Sequence, residues 1–346
     1  MARHKRLIIA KAPYRISLFG GATDLPEAFT ILNEGGAVVS FTTDLGVTAI
    51  LTPRYYDKKI RVGWSGNPEE VDYLEELGHD LVREAIKLVD PDLSYGIEIN
   101  FTGQIPAQSG LGSSAAVTVA TLLALYELVG KDVTQEGIAR KAYKIEREIL
   151  GKHCGKQDQY ASSYGGANYI RFLPEGEVLI NPLPLSEEAF EEIEGSLILY
   201  YTGINRVKSA EKSLKTQGMN AKRNLEYLEG LRSLAKEGYE KLVKGDLSSI
   251  GELLDKGWKL KRELGDVTNN VVDELYAIAK EEGATGAKLS GAGLGGAFLV
   301  YVEGDSREGF NDRFSRRARE KLGIDIMQIP YKIEREVRGG RVIYSE

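Results

Sequence analysis

Along some stretches of the chain apolar and polar residues alternate, and along others apolar residues step by three or four, which divides the sequence into strands and helices. Residues 95–101 alternate, with Ile97, Ile99 and Phe101 on one side, and predict a strand. The run 115–128 that follows shortly after is apolar and helix-forming. Upstream, 7–19 reads as extended and broken by Pro13, and 37–51, rich in Val, Thr and Phe, as a second extended unit. Helical spacing at Leu74, Leu77, Leu81 and Ile86 predicts a helix over 73–89. A further helix runs from an N-cap at Thr134 to 150, with Ile138, Ala142, Ile145 and Ile149 on one face.

The texture changes at 173–188, where Pro174, Gly176, Pro182 and Pro184 punctuate short apolar runs ahead of an acidic cluster. Punctuation of this kind marks a boundary and predicts two domains, 1–185 and 186–346. The second opens on a buried-type strand at 197–201. Helices follow over 207–282, with breaks near Gly218, Gly245 and Gly265, and strands return at 297–302 and 324–331. That order predicts an α+β domain of open-faced sandwich type.

Composition narrows the function classes. With 346 residues, 42% hydrophobic and 28% charged, the chain can bury a large core. A net charge of −6 argues against nonspecific nucleic-acid binding. The single cysteine, Cys154, excludes an internal disulfide framework and fits a reducing cytoplasm, and the three histidines lack zinc-site spacing. The apolar run 7–10 is too short for a signal segment, and 115–126 falls far below the ~20 residues of a membrane span. A cytoplasmic protein with a small-molecule partner is expected, with neither nucleic acid nor membrane as a partner and a homodimer left open.

The candidate chemistry starts at 106–116, Pro-Ala-Gln-Ser-Gly-Leu-Gly-Ser-Ser-Ala-Ala, between a predicted strand and a predicted helix. Glycines let backbone N–H groups converge there, and a helix N-terminus adds about half a positive charge, which together make an anion site. Ser113 and Ser114 offer hydroxyls to phosphate or to a hard cation. The lysine of G-x-x-x-x-G-K-[ST] is missing, so this is not a Walker A loop. Three further clusters stand out. Arg15 precedes Gly20, Gly21, Thr23 and Asp24, a set that can line a polyol pocket because a carboxylate accepts two hydroxyl hydrogen bonds. Gly155 and Asp158 follow the helix that carries Glu146 and Glu148. Residues 291–296 match G-x-G-x-x-G, but a strand follows where a dinucleotide fingerprint needs a helix, so Gly293 belongs to a loop that presses on a ligand.

Taken together these motifs resemble the GHMP kinases, named for galactokinase, homoserine kinase, mevalonate kinase and phosphomevalonate kinase. The loop 106–116 matches that family's P-x-x-x-G-L-G-S-S-A-A in full, and the N-terminal cluster and the late glycine loop extend the likeness over nearly the whole chain. The resemblance implies an α/β (α+β) fold of two domains, an N-terminal ribosomal-S5-like one and a C-terminal ferredoxin-like one, with ATP and sugar meeting between them. It also implies roles. Ser109, Gly110, Leu111, Gly112, Ser113, Ser114 and Ala115 would hold the nucleotide phosphates, and Ser114 with Glu146 would hold Mg²⁺. Asp158 would accept the sugar proton, aimed by Arg15, and Gly20, Gly21, Thr23, Asp24, Gly155 and Gly293 would line the sugar site.

Galactokinases carry Glu-His where this chain has Gly21 and Ala22, whereas 20–26, 156–161, 165–166 and 201–204 are similar to the D-glycero-D-manno-heptose phosphate kinases. The resemblance therefore implies ATP-dependent phosphorylation of the anomeric hydroxyl of D-glycero-D-manno-heptose 7-phosphate. The residues add a reason for a phosphorylated acceptor: Lys152 and Lys156 lie beside Asp158 in the sequence, and Arg206 and Lys208 follow 201–203. The alternatives are a kinase of another sugar, such as galactose or fucose, and a non-catalytic ATP- and sugar-binding sensor. The intact motif set argues against the sensor.

Overall fold

The computed structural model describes residues 5–64, 67–90, 93–204, 209–336 and 338–346. Arg206 and Lys208 lie outside the described residues.

β1 (Ile8–Phe19) is buried over most of its length and runs antiparallel to the 19-residue β2 (Gly36–Arg54), with the short α1 (Pro26–Phe29) between them. Pro13 does not break β1. The strand passes through it with an irregular register between Pro13 and Arg15, the kind of local bulge at which a missing N–H is tolerated. β3 (Ile60–Trp64) and β4 (Asn67–Val71) form an antiparallel pair that sequence periodicity did not single out.

The helix expected over 73–89 is shorter. Residues 74–76 make one 3₁₀ turn, and α2 (Asp80–Val89) starts only after His79, whose Nδ1 accepts from the Val82 N–H at 3.4 Å. The backbone N–H of Gly78 is drawn away to Glu69 Oε1 at 2.6 Å, which takes the intervening chain out of helical register. β5 (Gly96–Gly103) pairs antiparallel with the second part of β2 and parallel with β3.

α3 (Ser113–Leu128) is apolar nearly all round and packs under the sheet among the other helices, as a helix of that composition must. α4 (Gln135–Tyr143) is capped by Thr134 as expected and continues as a π-helical turn over Lys144–Ile149. α5 (Gln157–Tyr164) leads into β6 (Ala167–Phe172), which pairs the first part of β2, and then into β7 (Val178–Pro182).

α6 (Glu187–Ser196), capped by Ser186, feeds the second sheet through β8 (Leu197–Tyr201). Four helices follow: α7 (Ser209–Met219), α8 (Leu225–Val243), α9 (Ser249–Arg262) and α10 (Asn270–Glu281), interrupted close to the three expected glycines. β9 (Gly286–Leu289), β10 (Ala297–Tyr301), α11 (Phe310–Leu322) and β11 (Met327–Gln328) complete an antiparallel sheet of order β11-β8-β10-β9. The strand expected over 324–331 is reduced to β11, and β12 (Arg341–Ser345) pairs with β1 in the first sheet. Among the described residues that first sheet holds eight strands.

The second sheet and its helices enclose Tyr200, Trp258, Phe298, Phe310 and Phe314. Leu234, Ala235, Ile250 and Leu254, from α8 and α9, join the core of the first sheet instead. The division at 185/186 therefore remains a proposal about folding units, with β12 rejoining the first sheet and a helical layer shared between the two.

Candidate active site

The sharp chain reversal between β5 and α3 is made by Gly110 and Gly112, with φ of 91° and 77°. Gly112 caps α3, so the helix begins at Ser113 with its first N–H groups turned toward a cavity of about 330 Å³. A Cβ at Gly112 would lie 3.4 Å from Asp158 Oδ2, an ordinary contact, so it is the positive φ that calls for glycine where the loop passes that carboxylate. Gly110, Gly112, Ser113 and Ser114 line the cavity. Ser109, Leu111 and Ala115 are buried behind it and shape the loop.

Arg15, on β1, and Asp158, in the first turn of α5, are 143 residues apart in sequence and meet in a two-pronged ion pair. Nε donates to Oδ1 at 2.7 Å and Nη2 to Oδ2 at 2.8 Å, while Nη1 donates to the Gly110 carbonyl at 2.5 Å. One guanidinium thus fixes both the carboxylate and the glycine loop, the task for which a planar fork of donors is suited.

Glu146, on the π turn after α4, is 2% exposed, whereas Glu148 faces solvent. Ser114 Oγ donates to Glu146 Oε2 at 2.7 Å, and Gln159 Nε2 donates to Oε1 at 2.8 Å. Burial pushes the Glu146 carboxyl pKa up, and these two hydrogen bonds oppose that shift. Both members of the expected metal pair line the cavity as hard oxygen donors. Among the described residues no three His, Cys, Asp or Glu gather into a metal cluster. Two protein ligands fit Mg²⁺, which keeps several water or phosphate oxygens of its own.

Asp24, 8% exposed, accepts from the Gln157 N–H at 3.1 Å. Its pKa is raised first by burial and then by the charge of Asp158. Gly155 passes so close that a Cβ there would lie 1.9 Å from Asp24 Oδ2. Gly21, Asp24 and Gly155 line the cavity. Three other expected sugar-site residues are placed differently. Thr23 Oγ1 donates to the Gly20 and Ala37 carbonyls and holds the turn from behind, and a Cβ at Gly20 would strike the Ala37 carbonyl. Gly293 packs against the backbone of Val267, and the late loop reaches the cavity through Gly291 and Ala292.

Three residues that sequence reasoning did not single out, Ser17, Gln157 and Lys261, also line this end of the cavity, and Lys288 is buried behind them. Ser17 Oγ donates to Gln157 Oε1 at 3.1 Å, and Gln157 Nε2 is buried with no hydrogen-bond partner. Lys261, on α9, lines the cavity and donates to the Gly291 carbonyl at 2.5 Å. Lys288, on β9, donates to the Ser17 and Leu18 carbonyls at 3.0 and 3.1 Å. Its pKa is pushed well down by burial and then by Lys261 and Arg15. A signal existed for Lys261: Ile250, Leu254, Trp258 and Lys261 step by four, four and three, which puts a cation on an apolar stripe. Of the expected acceptor cations, Lys152 is paired with Asp80 at 2.8 Å. Lys156 is held at the Gly176 carbonyl and over the Phe29 and Tyr143 rings.

A second cavity of about 440 Å³ adjoins the first through Gln108, Ser113, Ser114 and Lys152. Its walls include Val62, Trp64, His79 and Val117, and the Trp64 and His79 rings meet edge to face with centroids 4.8 Å apart.

The model of the GHMP kinases N terminal domain matches residues 80–166, and that of the GHMP kinases C terminal domain matches 239–317. The chain is 28% identical over 315 residues to the D-glycero-alpha-D-manno-heptose 7-phosphate kinase of Campylobacter jejuni, covering 86% of this chain and 90% of that one. It is 30% identical over 328 residues to the mevalonate kinase of Thermococcus sibiricus, covering 85% and 89%. A crystal structure of a D-glycero-D-manno-heptose 1-phosphate kinase from Bacteriodes thetaiotaomicron superimposes with a TM-score of 0.76 at 25% identity, over 97% of this chain and 99% of that one. The glycine loop, the two-sheet fold and the likeness along the full length agree, and the chain belongs to the GHMP kinases.

Proposed function

We propose that this enzyme transfers the γ-phosphoryl group of ATP to the anomeric hydroxyl of D-glycero-D-manno-heptose 7-phosphate. The observation that carries the reading is the Asp158 carboxylate, gripped by Arg15 at the edge of a glycine loop that opens an N-terminal helix. An acceptor hydroxyl resting on Asp158 lies beside an anion cradle, the arrangement an in-line transfer requires.

The N–H groups at 110–115 bind the phosphates, and the second cavity, walled by Trp64 and His79, takes the nucleotide base. His79 Nε2 is buried there without a hydrogen-bond partner and has one to offer to a purine. Ser114 and Glu146 would hold Mg²⁺, which when bound would neutralise charge on the transferring group. Asp158 receives the proton of the acceptor hydroxyl. Asp24 and the unpartnered Gln157 amide hold sugar hydroxyls, and Gly155 keeps Asp24 in place by having no side chain.

The substrate assignment is supported by the Campylobacter jejuni relative and by the glycine at 21, which leaves that wall of the cavity open. ADP release measured over a panel of sugars and sugar phosphates tests it. The 7-phosphate should exceed the free heptose in kcat/KM by more than tenfold, about 1.4 kcal/mol, and that advantage should shrink as salt rises. Equal turnover of unphosphorylated galactose, fucose or mannose overturns the acceptor assignment, as does preferred turnover of mevalonate.

A further inference from the structure

The two cavities meet at a neck. Among the described residues, those that line both are Gln108, Ser113, Ser114 and Lys152. The first three belong to the glycine loop and the start of α3, and Lys152 comes from the segment that follows the π turn. A nucleotide with its base in the second cavity and its γ-phosphate beside Asp158 must pass its phosphates through this neck. It brings several negative charges past the carboxyl groups of Glu146 and Asp158. The loop has no lysine of its own to meet them, and the charged residue of the neck is Lys152.

The fold fastens Lys152 at this place. Gly151, with φ of 65°, turns the chain, and the Lys152 N–H donates to the Glu146 carbonyl at 2.9 Å. Its ammonium nitrogen is 2.8 Å from Asp80 Oδ2, with the two side chains 34% and 39% exposed. An ion pair that exposed is weak and yields to a more highly charged partner. Asp80 is not stranded by the exchange. It sits in the first turn of α2, where the helix dipole favours a carboxylate, and its Oδ1 accepts from the Leu81 N–H at 2.7 Å. The charge of Lys152 is felt in both cavities. Burial lowers the pKa of His79, and Lys152 adds to that shift; burial raises the pKa of Glu146, and Lys152 opposes it.

We infer that Lys152 is a catalytic cation of the nucleotide site, which leaves Asp80 for the β-phosphate and so supplies, from a distant segment, the lysine that a Walker A loop carries within itself. As the γ-phosphoryl group passes to the acceptor oxygen, its bond to the β–γ bridging oxygen breaks. The electron pair stays on that oxygen, and the ammonium group offsets the charge left on ADP, while the acceptor proton goes to Asp158. Lys152 thereby moves from the acceptor side, where its position in the sequence had put it, to the donor side. The inference rests on the placement of the nucleotide proposed above.

Trp64, in the wall of the second cavity and 44% exposed, reports occupation of that cavity by its fluorescence. Mg²⁺·ADP, Mg²⁺·ATP and adenosine are titrated into wild type, Lys152→Gln, Lys152→Arg and Asp80→Asn, with Trp64→Phe to identify the signal and kcat measured alongside. Lys152→Gln should lower kcat and weaken ADP and ATP binding by roughly tenfold or more, while adenosine binding changes by less than about twofold. Lys152→Arg should recover most of the loss. Asp80→Asn should tighten ADP binding by about two- to fivefold, because the competing partner of the lysine is gone. A wild type whose Trp64 signal does not respond to saturating ADP overturns the placement of the base and this inference with it. Where Trp64 responds, unchanged ADP affinity in Lys152→Gln, or an equal loss for adenosine, overturns the role of Lys152 alone. Weaker ADP binding in Asp80→Asn overturns the exchange of partners.

Discussion

Glu146→Gln should make the ligand-free protein more stable while removing its response to Mg²⁺ and nucleotide. The carboxylate is buried and accepts two hydrogen bonds, from Ser114 and Gln159. Bonds to a charged acceptor contribute about 1.5–3 kcal/mol each, and their neutral counterparts about 0.5–1.5. Gln can keep both, accepting from Gln159 through its oxygen and donating to the Ser114 hydroxyl through its nitrogen. The substitution therefore weakens the bonding by about 2–3 kcal/mol and removes a charge whose burial costs several. The net gain is on the order of 1 kcal/mol, which for 346 residues is a rise in Tm of roughly 1–2 °C.

The pH dependence gives the sharper signature. Burial raises the native pKa of Glu146 above the ordinary 4.5 of a glutamate carboxyl, so the group favours the folded state most below that value and loses the advantage as pH rises through the native pKa. The gain from Gln should therefore be present at pH 7 and vanish as pH falls below about 4.5. Added Mg²⁺·ADP at a hundred times its Kd stabilises wild type by about 2.7 kcal/mol, and the variant by much less, so the order of the two melting temperatures should reverse. Thermal unfolding from pH 4 to 8, with and without Mg²⁺·ADP, reads all of this, with the exposed Glu148→Gln as a control that changes stability by less than about 0.5 kcal/mol. A variant less stable at pH 7 that nevertheless binds Mg²⁺·ADP as tightly as wild type would refute the reasoning.

Asp158→Asn should lower kcat by roughly 10²–10⁴ with little change in ATP affinity, measured by steady-state kinetics and nucleotide titration; a near-normal kcat would reduce the chemistry to positioning and metal charge. Gly155→Ala places a methyl group 1.9 Å from Asp24 Oδ2. It should cost about 1–3 kcal/mol in stability and raise KM for the sugar more than for ATP, and equal KM changes would count against Asp24 as a sugar ligand.

The local parts of this site were legible in the sequence. The strand, glycine loop and helix around 96–128 are a contiguous signal, and helical spacing separated Glu146 from Glu148 even though the segment proved to be π-helical. The meeting of Arg15 with Asp158 was available only through the family resemblance, since no local pattern encodes a contact across 143 residues. Pairing of β3 with β5 and of β12 with β1 was hidden for the same reason. Lys261 was overlooked because the lysine-rich end of α9 reads as a solvated face until each position is assigned to a side of the helix.

The carbonyl of Gly110 accepts from both Arg15 and Ser290, and that of Ser109 accepts from the backbone of Ala297 at 2.6 Å. The glycine loop can turn its N–H groups outward because its carbonyls are tethered inward, partly to residues 290–297 of the second sheet. A fragment ending before β8 would contain every residue of the loop and lack half of its moorings. Ligand affinity at the loop is then a property of joined fragments, and two pieces of this chain expressed apart would form a complementation pair whose reassociation is reported by the return of binding.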